Sequence, residues 1–307
     1  MSEITHFGFL GLGNMGAAMA MRLIHPGCRL HVYDPNAEAV SRLVDAGAVA
    51  HASPRSVADA AAIVMACLPS QAVCEAAIFG QEGMAAGNAL HTYVEMSTIG
   101  PTAVSSIAQR LQRQHIATVD APVSGGPSAA RAGTLSIMVA GASHAIARAM
   151  SSLERIAKTI HNLGDQPGQA QAMKLVNNIM LAANMAVASE ALAVGAKAGL
   201  NADAMAEVIR SSTGQSAAAD ILARFALCGS FDFGAHMSIL AKDVDLAITE
   251  ARNLGVPARV LEQAGGVWQT AMEEGRSQDD FTSIIKSVEE RANVLVRGAP
   301  RRSPANQ

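Results

Sequence analysis

The sequence predicts an α/β chain in two parts: a doubly wound parallel sheet over residues 1–165, then an all-α domain over residues 166–296, the two joined by one long interdomain helix. Three observations carry this. Residues 8–16 read GFLGLGNMG, a glycine cluster between a short apolar run and a helical pattern. Strand-like and helix-like segments then alternate as far as about residue 164, after which long helical stretches replace them. At 307 residues the chain also exceeds the size at which one hydrophobic core usually keeps growing.

Each element follows in order. Residues 7–10 form an apolar run that ends in the glycines, and residues 15–24 place apolar side chains at helical spacing. Residues 29–33 (RLHVY) alternate as a second strand, with Asp34 at its end, 23 residues beyond Gly11. A helix over 37–46 precedes a strand over 63–67, which Leu68-Pro69 must stop. Further strands are expected at 93–96, 116–120 and 135–139, with helices between them. Repeated βα units make the sheet mostly parallel with helices on both faces, and ligands of such sheets bind at the carboxyl ends of the strands. Gly11, Asp34, Leu68, Ser97 and Thr98 all fall on that rim.

Strand, glycine turn and helix in this order form the Rossmann-type site for a dinucleotide. Gly11 permits the turn, Gly13 lets the backbone approach the phosphates, and Gly16 allows helix and strand to pack closely; Leu12, Asn14 and Met15 complete the loop. Backbone N–H groups and the helix dipole then face the pyrophosphate. Asp34 accepts hydrogen bonds from both ribose hydroxyls and repels a 2′-phosphate, which predicts NAD as cofactor.

Composition narrows the partners. Half the residues are hydrophobic and only 3% aromatic, the formal charge is −3, and Lys and Arg are scattered, so the basic footprint of a nucleic-acid binder is missing. Cys28, Cys67, Cys74 and Cys228 form no C-x-x-C pair and no metal-ligand cluster, and are expected reduced and buried. The N-terminal MSEITHFGFL lacks a basic n-region and cleavage site. No apolar run is read as membrane-spanning. A cytoplasmic, soluble protein with a small ligand is expected.

In the second half, residues 168–198 are apolar all round and free of proline, which reads as a buried helix of roughly 30 residues or ~45 Å. Further helices are expected over 202–210, 216–227, 237–254, 258–274 and 281–295, with a disordered Pro- and Arg-rich tail over 297–307. Lys174, Asn177 and Asn178 interrupt the long apolar helix. A lysine in such company needs a charge partner or a wet cleft, or gives up its proton more readily than an exposed one. Lys174 and Asn178 are four apart and share one face.

GLGNMGAAMA (11–20), DAPVSGG (120–126), GQAQAMKLVNN (168–178) and AKDVDLA (241–247) together resemble the β-hydroxyacid dehydrogenase family, which includes 3-hydroxyisobutyrate, tartronate semialdehyde and threonate enzymes and, as a longer relative, 6-phosphogluconate dehydrogenase. The likeness runs over about residues 6–295. It implies that Ser124, Gly125 and Gly126 grip a substrate carboxylate, that Lys174 is the catalytic lysine, and that Asn178 orients the substrate. It also implies that Lys242 lies near the cofactor with Asp243 beside it, and that Leu68, Pro69 and Thr98 make further cofactor contacts. Arg22 stands where the family commonly has Asn, from which a packing or capping difference is expected, and His236 is a candidate for facing substrate.

The resemblance implies an NAD-dependent enzyme that interconverts a small 3-hydroxy acid and its semialdehyde or keto acid, working as a homodimer or homotetramer. Two other readings stand beside it: an imine reductase-like enzyme, in which the catalytic lysine is usually replaced, and a non-catalytic dinucleotide-binding sensor, which would be expected to lose Lys174 or the Ser-Gly-Gly loop. This chain keeps both features. Chain length disfavours 6-phosphogluconate as substrate, no arginine cluster for a phosphate is visible, and the particular hydroxy acid stays open.

Overall fold

The computed structural model describes residues 5–298. Two compact units divide between Lys174 and Leu175. The first contains β1 (Thr5–Leu10), α1 (Asn14–Leu23), β2 (Cys28–Tyr33), α2 (Ala37–Asp45), β3 (Val49–Ala50), α3 (Pro54–Ala60), β4 (Ile63–Ala66), α4 (Gln71–Phe79), β5 (Thr92–Glu95), α5 (Pro101–Gln112), β6 (Ala117–Asp120), β7 (Val123–Ser124), α6 (Gly126–Ala132), β8 (Leu135–Ala140), α7 (Ser143–Ile156) and β9 (Ala157–Gly164). The long helix α8 (Gln169–Lys197) begins in this unit and continues into the second.

The sheet order is β3-β2-β1-β4-β5-β6, all parallel, so successive crossovers change direction between β1 and β4. That reversal opens the crevice in which ligands of doubly wound sheets bind. β8 pairs antiparallel with β6 and β7, and β9 runs parallel to β8. Both faces are buried, as parallel sheets require. Phe7, Phe9 and Met65 enter one core with Met19, Leu30 and Val32, while Leu10, Val64 and Tyr93 enter the other with Val57, Val104 and Ile107. Side-chain caps start three helices where the sequence offers Asn or Ser: Asn36 accepts from Glu38 and Ala39, Ser53 from Ser56, and Ser70 from Val73.

Beyond the strands expected from sequence, the sheet contains the two-residue β3 and β7 and the longer β9, most of whose residues are exposed or half-buried with weak apolar alternation. The cysteines differ from expectation as well. Only Cys74 is buried, while Cys28, Cys67 and Cys228 are half-buried near element ends, where smaller side chains need not be covered.

The second unit contains the remainder of α8, then α9 (Ala202–Ser211), α10 (Ala217–Ile221) running into a π turn over Leu222–Ala226, α11 (Met237–Asn253), α12 (Arg259–Glu273) and α13 (Ile284–Ala292). Trp268 anchors its core, 1% exposed, and donates its indole N–H to the Ala182 carbonyl at 3.1 Å. At 29 residues α8 is apolar and long enough to cross a membrane by length and composition, contrary to the expectation that no run reaches that length. Its small residues hid this: alanines lengthen the apolar run without marking it out. Arg297, where the tail was expected to be disordered, is held by Glu289 at 2.6 Å, and Gly298 donates to the Leu227 carbonyl. The rest of that expected tail, residues 299–307, lies outside the described residues.

His6 on β1, His31 on β2 and His51, just after β3, form a chain at one edge of the sheet. His6 Nδ1 lies 2.9 Å from His31 Nε2, and His31 Nδ1 lies 2.8 Å from His51 Nε2. Neutral imidazoles satisfy such a chain, each donating from one nitrogen and accepting at the other. His31 is 6% exposed, and burial, followed by His51, His6 and Arg29, pushes its pKa down to about 4. Burial also lowers His51, against the pull of Asp59. Because the folded state holds fewer protons than the unfolded one between about pH 4 and 6.5, this contribution is present above pH 6.5 and lost as pH falls through that window. Urea titrations should show roughly 3 kcal/mol of stability disappearing there in the wild type and a flatter profile in His31→Gln; an unchanged profile in that variant would contradict the role given to His31.

Candidate active site

The glycine loop lies at the switch point, and the three glycines have different surroundings. Gly11 has φ +88°, and a β-carbon there would strike the Cys67 carbonyl and the Leu68 side chain. A β-carbon on Gly16 would collide with the Gly11 carbonyl. At Gly13 nothing lies within 4 Å of that position. Two glycines are thus demanded by the protein's own packing. The third keeps space clear beside the N-terminus of α1, where backbone N–H groups converge, as a dinucleotide pyrophosphate requires.

Asp34 holds the backbone on both sides of the strand end. Its Oδ2 accepts the Leu12 N–H at 2.6 Å and its Oδ1 the Asn36 N–H at 2.8 Å, so the carboxylate ties the glycine loop to the end of β2 and to the cap of α2. A cavity of about 610 Å³ opens beside these groups, lined by Leu12, Gly13, Asn14 and Asp34. Arg22, Arg42 and Arg131 line it too, a gathering from three helices that the sequence reading did not find, since the residues are far apart in the chain. Arg22 Nε donates to the Arg155 carbonyl at 3.3 Å, and its guanidinium lies against Gly133. Arg22 thus joins the end of α1 to the ends of α6 and α7.

On the neighbouring strands, Leu68 N–H donates to Ser97 Oγ at 2.8 Å, which joins the turn after β4 to the one after β5. Beneath them Glu95, fully buried, accepts from the Tyr93 hydroxyl at 2.6 Å and from the Ser97 N–H at 2.9 Å. Burial pushes the Glu95 carboxyl up, opposed by hydrogen bonds from Ser97 and Tyr93. Pro69 is exposed and Thr98 half-buried on this rim. Ser124 ends β7, and Gly125 (φ +133°) and Gly126 (φ +76°) turn the chain into α6, a backbone that other residues rarely adopt.

Lys174, 8% exposed, is the last residue of the first unit and lies in the second turn of α8. The residues that hold this part of the helix escaped the sequence reading. Asp120, at the end of β6, accepts from the N–H groups of Gly168 (2.8 Å) and Gln171 (3.0 Å), the free donors of the helix start. Burial pushes its carboxyl up and these hydrogen bonds pull it down. No local pattern marks this pairing, since Asp120 and the helix start it holds are 48 to 51 residues apart in the chain.

In the second unit, Asn178, 6% exposed, donates from Nδ2 to Asp243 Oδ2 at 2.6 Å and accepts from Asn177 at 3.1 Å. Lys242 pairs with the other Asp243 oxygen at 2.8 Å. Asp243, 3% exposed, thereby links the two polar positions expected from sequence. His236 is exposed at the N-cap of α11, its Nδ1 2.7 Å from the Gln278 carbonyl.

Comparison with known proteins decides the family. Residues 6–164 match the model described as the NAD binding domain of 6-phosphogluconate dehydrogenase, and residues 168–288 match that of NAD-binding of NADP-dependent 3-hydroxyisobutyrate dehydrogenase. The chain belongs to the β-hydroxyacid dehydrogenase family. It is 34% identical to 2-(hydroxymethyl)glutarate dehydrogenase of Eubacterium barkeri, covering 97% of this chain and 99% of that one. It is also 34% identical to 3-hydroxyisobutyrate dehydrogenase of Pseudomonas aeruginosa, with 92% and 98% covered. A solved 3-hydroxyisobutyrate dehydrogenase from Salmonella typhimurium superposes with a TM-score of 0.84 at 27% identity, covering 92% and 99%. An imine reductase from Streptomyces aurantiacus shares the fold, with a TM-score of 0.63 at 22% identity.

This family member is accordingly an oxidoreductase that uses a nicotinamide dinucleotide. Its glycine loop supplies a direct test of where that cofactor sits. Because space around Gly13 is open, Gly13→Val should fold with little change in Tm yet lose at least about tenfold in NAD affinity by calorimetric titration, the side chain occupying room a phosphate needs. Unchanged affinity would place the pyrophosphate elsewhere.

Proposed function

We propose that this enzyme oxidises the 3-hydroxyl of a small hydroxy-carboxylate, or runs the reverse reduction, with Lys174 as general acid/base. The single observation that carries the reading is a buried lysine on α8 in the same compact unit as the glycine loop and the Ser124–Gly126 turn. When bound, the nicotinamide supplies the hydride chemistry. Ser124 and the N–H groups of Gly125 and Gly126, both at positive φ, hold the carboxylate. Lys174 takes the hydroxyl proton in oxidation and returns it to the carbonyl oxygen in reduction. Asn178, one turn further along α8 and hydrogen-bonded to Asp243, steadies the reacting oxygen. The turns around Leu68, Pro69 and Thr98 border the cofactor. Asp34, a carboxylate at the end of β2, favours NAD over NADP, since its charge opposes a 2′-phosphate.

The relatives support the substrate class. Their names include 3-hydroxyisobutyrate, L-serine, L-threonate and 2-(hydroxymethyl)glutarate dehydrogenases, all acting on hydroxylated carboxylates. A screen of these acids with NAD⁺ and NADP⁺ should find activity with at least one, with the higher kcat/KM for NAD⁺. Lys174→Met should lower kcat by about 100-fold or more while NAD binding stays within a few-fold. A variant that keeps wild-type kcat would end the acid/base assignment.

We further propose a cytoplasmic homodimer or homotetramer. Met173, Met180, Val187 and Val194 are 37%, 58%, 63% and 70% exposed and recur every seven residues along α8, with Val176 beside them. This stripe extends about 32 Å and suits pairing with another copy of the chain. Sedimentation without detergent should give a dimer or larger species, with Val187→Glu shifting it toward monomer. A wild-type monomer would reject the proposal.

A further inference from the structure

Gln171 is 0% exposed and its amide makes four hydrogen bonds. Oε1 accepts the N–H groups of Ile99 (3.0 Å) and Gly100 (3.1 Å), and Nε2 donates to the Ser97 carbonyl (2.9 Å) and to Asp120 Oδ1 (3.0 Å). Two backbone donors at one end and two acceptors at the other fix the sense of the amide. Every hydrogen-bonding site on this one neutral side chain is therefore matched, at a place where an unmatched group would be costly.

The partners lie on segments that the proposed reaction uses. Ser97, Ile99 and Gly100 surround Thr98 in the turn after β5. Asp120 ends β6, four residues before Ser124. Gln171 lies in the first turn of α8, three residues before Lys174, so fixing its side chain fixes the rotation and height of the helix at the lysine. Asp120 adds a second fixation, since its Oδ2 holds the Gly168 and Gln171 N–H groups of that first turn.

We infer that Gln171, seated on Asp120, is a positioning residue that sets Lys174 in register with the cofactor turn at Thr98 and the carboxylate loop that begins after Asp120. This rests on Lys174 being the acid/base. Gln171 has no exposed surface and no charge, so it acts through the lysine and does not touch substrate. Proton and hydride transfer tolerate little displacement, and a shift of about 1 Å can cost on the order of 100-fold in rate.

The test is Gln171→Glu. Its carboxylate can still accept from Ile99 and Gly100, but the other oxygen faces the Ser97 carbonyl and Asp120, acceptor against acceptor. A proton gained at lower pH restores a donor at that position. We expect kcat for reduction, taken as the ratio to wild type at each pH, to fall about 30-fold at pH 8 and to recover by at least tenfold near pH 5.5. The KM for NADH should stay within about threefold. Gln171→Met, similar in length and without hydrogen bonds, should lose kcat at both pH values with no recovery. A merely structural role predicts losses that follow the folded fraction in circular dichroism and no acid recovery.

Wild-type kcat and pH profile in Gln171→Glu would overturn the inference, as would failure of both variants to fold, which would make Gln171 a folding residue only. An active Lys174→Met would instead defeat the parent reading. An inactive Lys174→Met beside wild-type-like Gln171 variants would defeat this inference alone.

Discussion

The constraint on which the first unit depends is the start of α8. A helix leaves its first N–H groups without partners inside the helix, and here a buried carboxylate supplies acceptors for them. Asp120 is 0% exposed and sits at the end of a central strand, so the helix begins at a point fixed by the sheet. Burial alone would drive such a carboxyl toward its neutral form; the Gly168 and Gln171 donors counter that by favouring the ion. Sheet, turn and helix are thereby held by charge-assisted hydrogen bonds in a region of low dielectric, where they are stronger than at a surface.

The cofactor side of the unit follows the same pattern. Asp34 holds the glycine loop through Leu12, and Glu95 holds the turn after β5 through Ser97, which in turn receives the Leu68 N–H. Carboxylates at three strand ends each secure a segment at the rim: Asp34 the glycine loop, Glu95 the turn after β5 and Asp120 the start of α8. The rim of the sheet is thus ordered from below by the protein itself, and its outward side remains for a ligand. Such preorganisation lowers what binding must spend on fixing loops.

Much of this was legible in the sequence, and what was not has a physical cause. The glycine loop, Asp34 and the long helix could be read because their requirements are local: a positive φ, a close backbone approach, an apolar run without proline. The four family motifs single out Ser124, Lys174, Asn178 and Lys242 as candidates by order and spacing. The Asp120–Gln171 network could not be read, because its bonds join residues 51 and 74 apart and glutamine has no distinctive spacing. The histidine chain joins residues 25 and 20 apart, and the arginines around the cavity come together only when α1, α2 and α6 pack. Strand β9 was lost for the opposite reason, since half-exposed edge structure leaves little hydrophobic pattern.

The central claim is that the first turn of α8 is fixed to the sheet and so holds Lys174 in place, and amide hydrogen exchange tests it most directly. In the full-length enzyme the Gly168 and Gln171 N–H groups should exchange as slowly as those of the β5 and β6 strands, opening only with the sheet itself, whereas Gln169, whose N–H reaches the Gln166 carbonyl at 3.3 Å, should exchange faster. If Gly168 and Gln171 instead exchange at the rate of a fraying helix end while the strands stay protected, the helix start is loose and the account is contradicted.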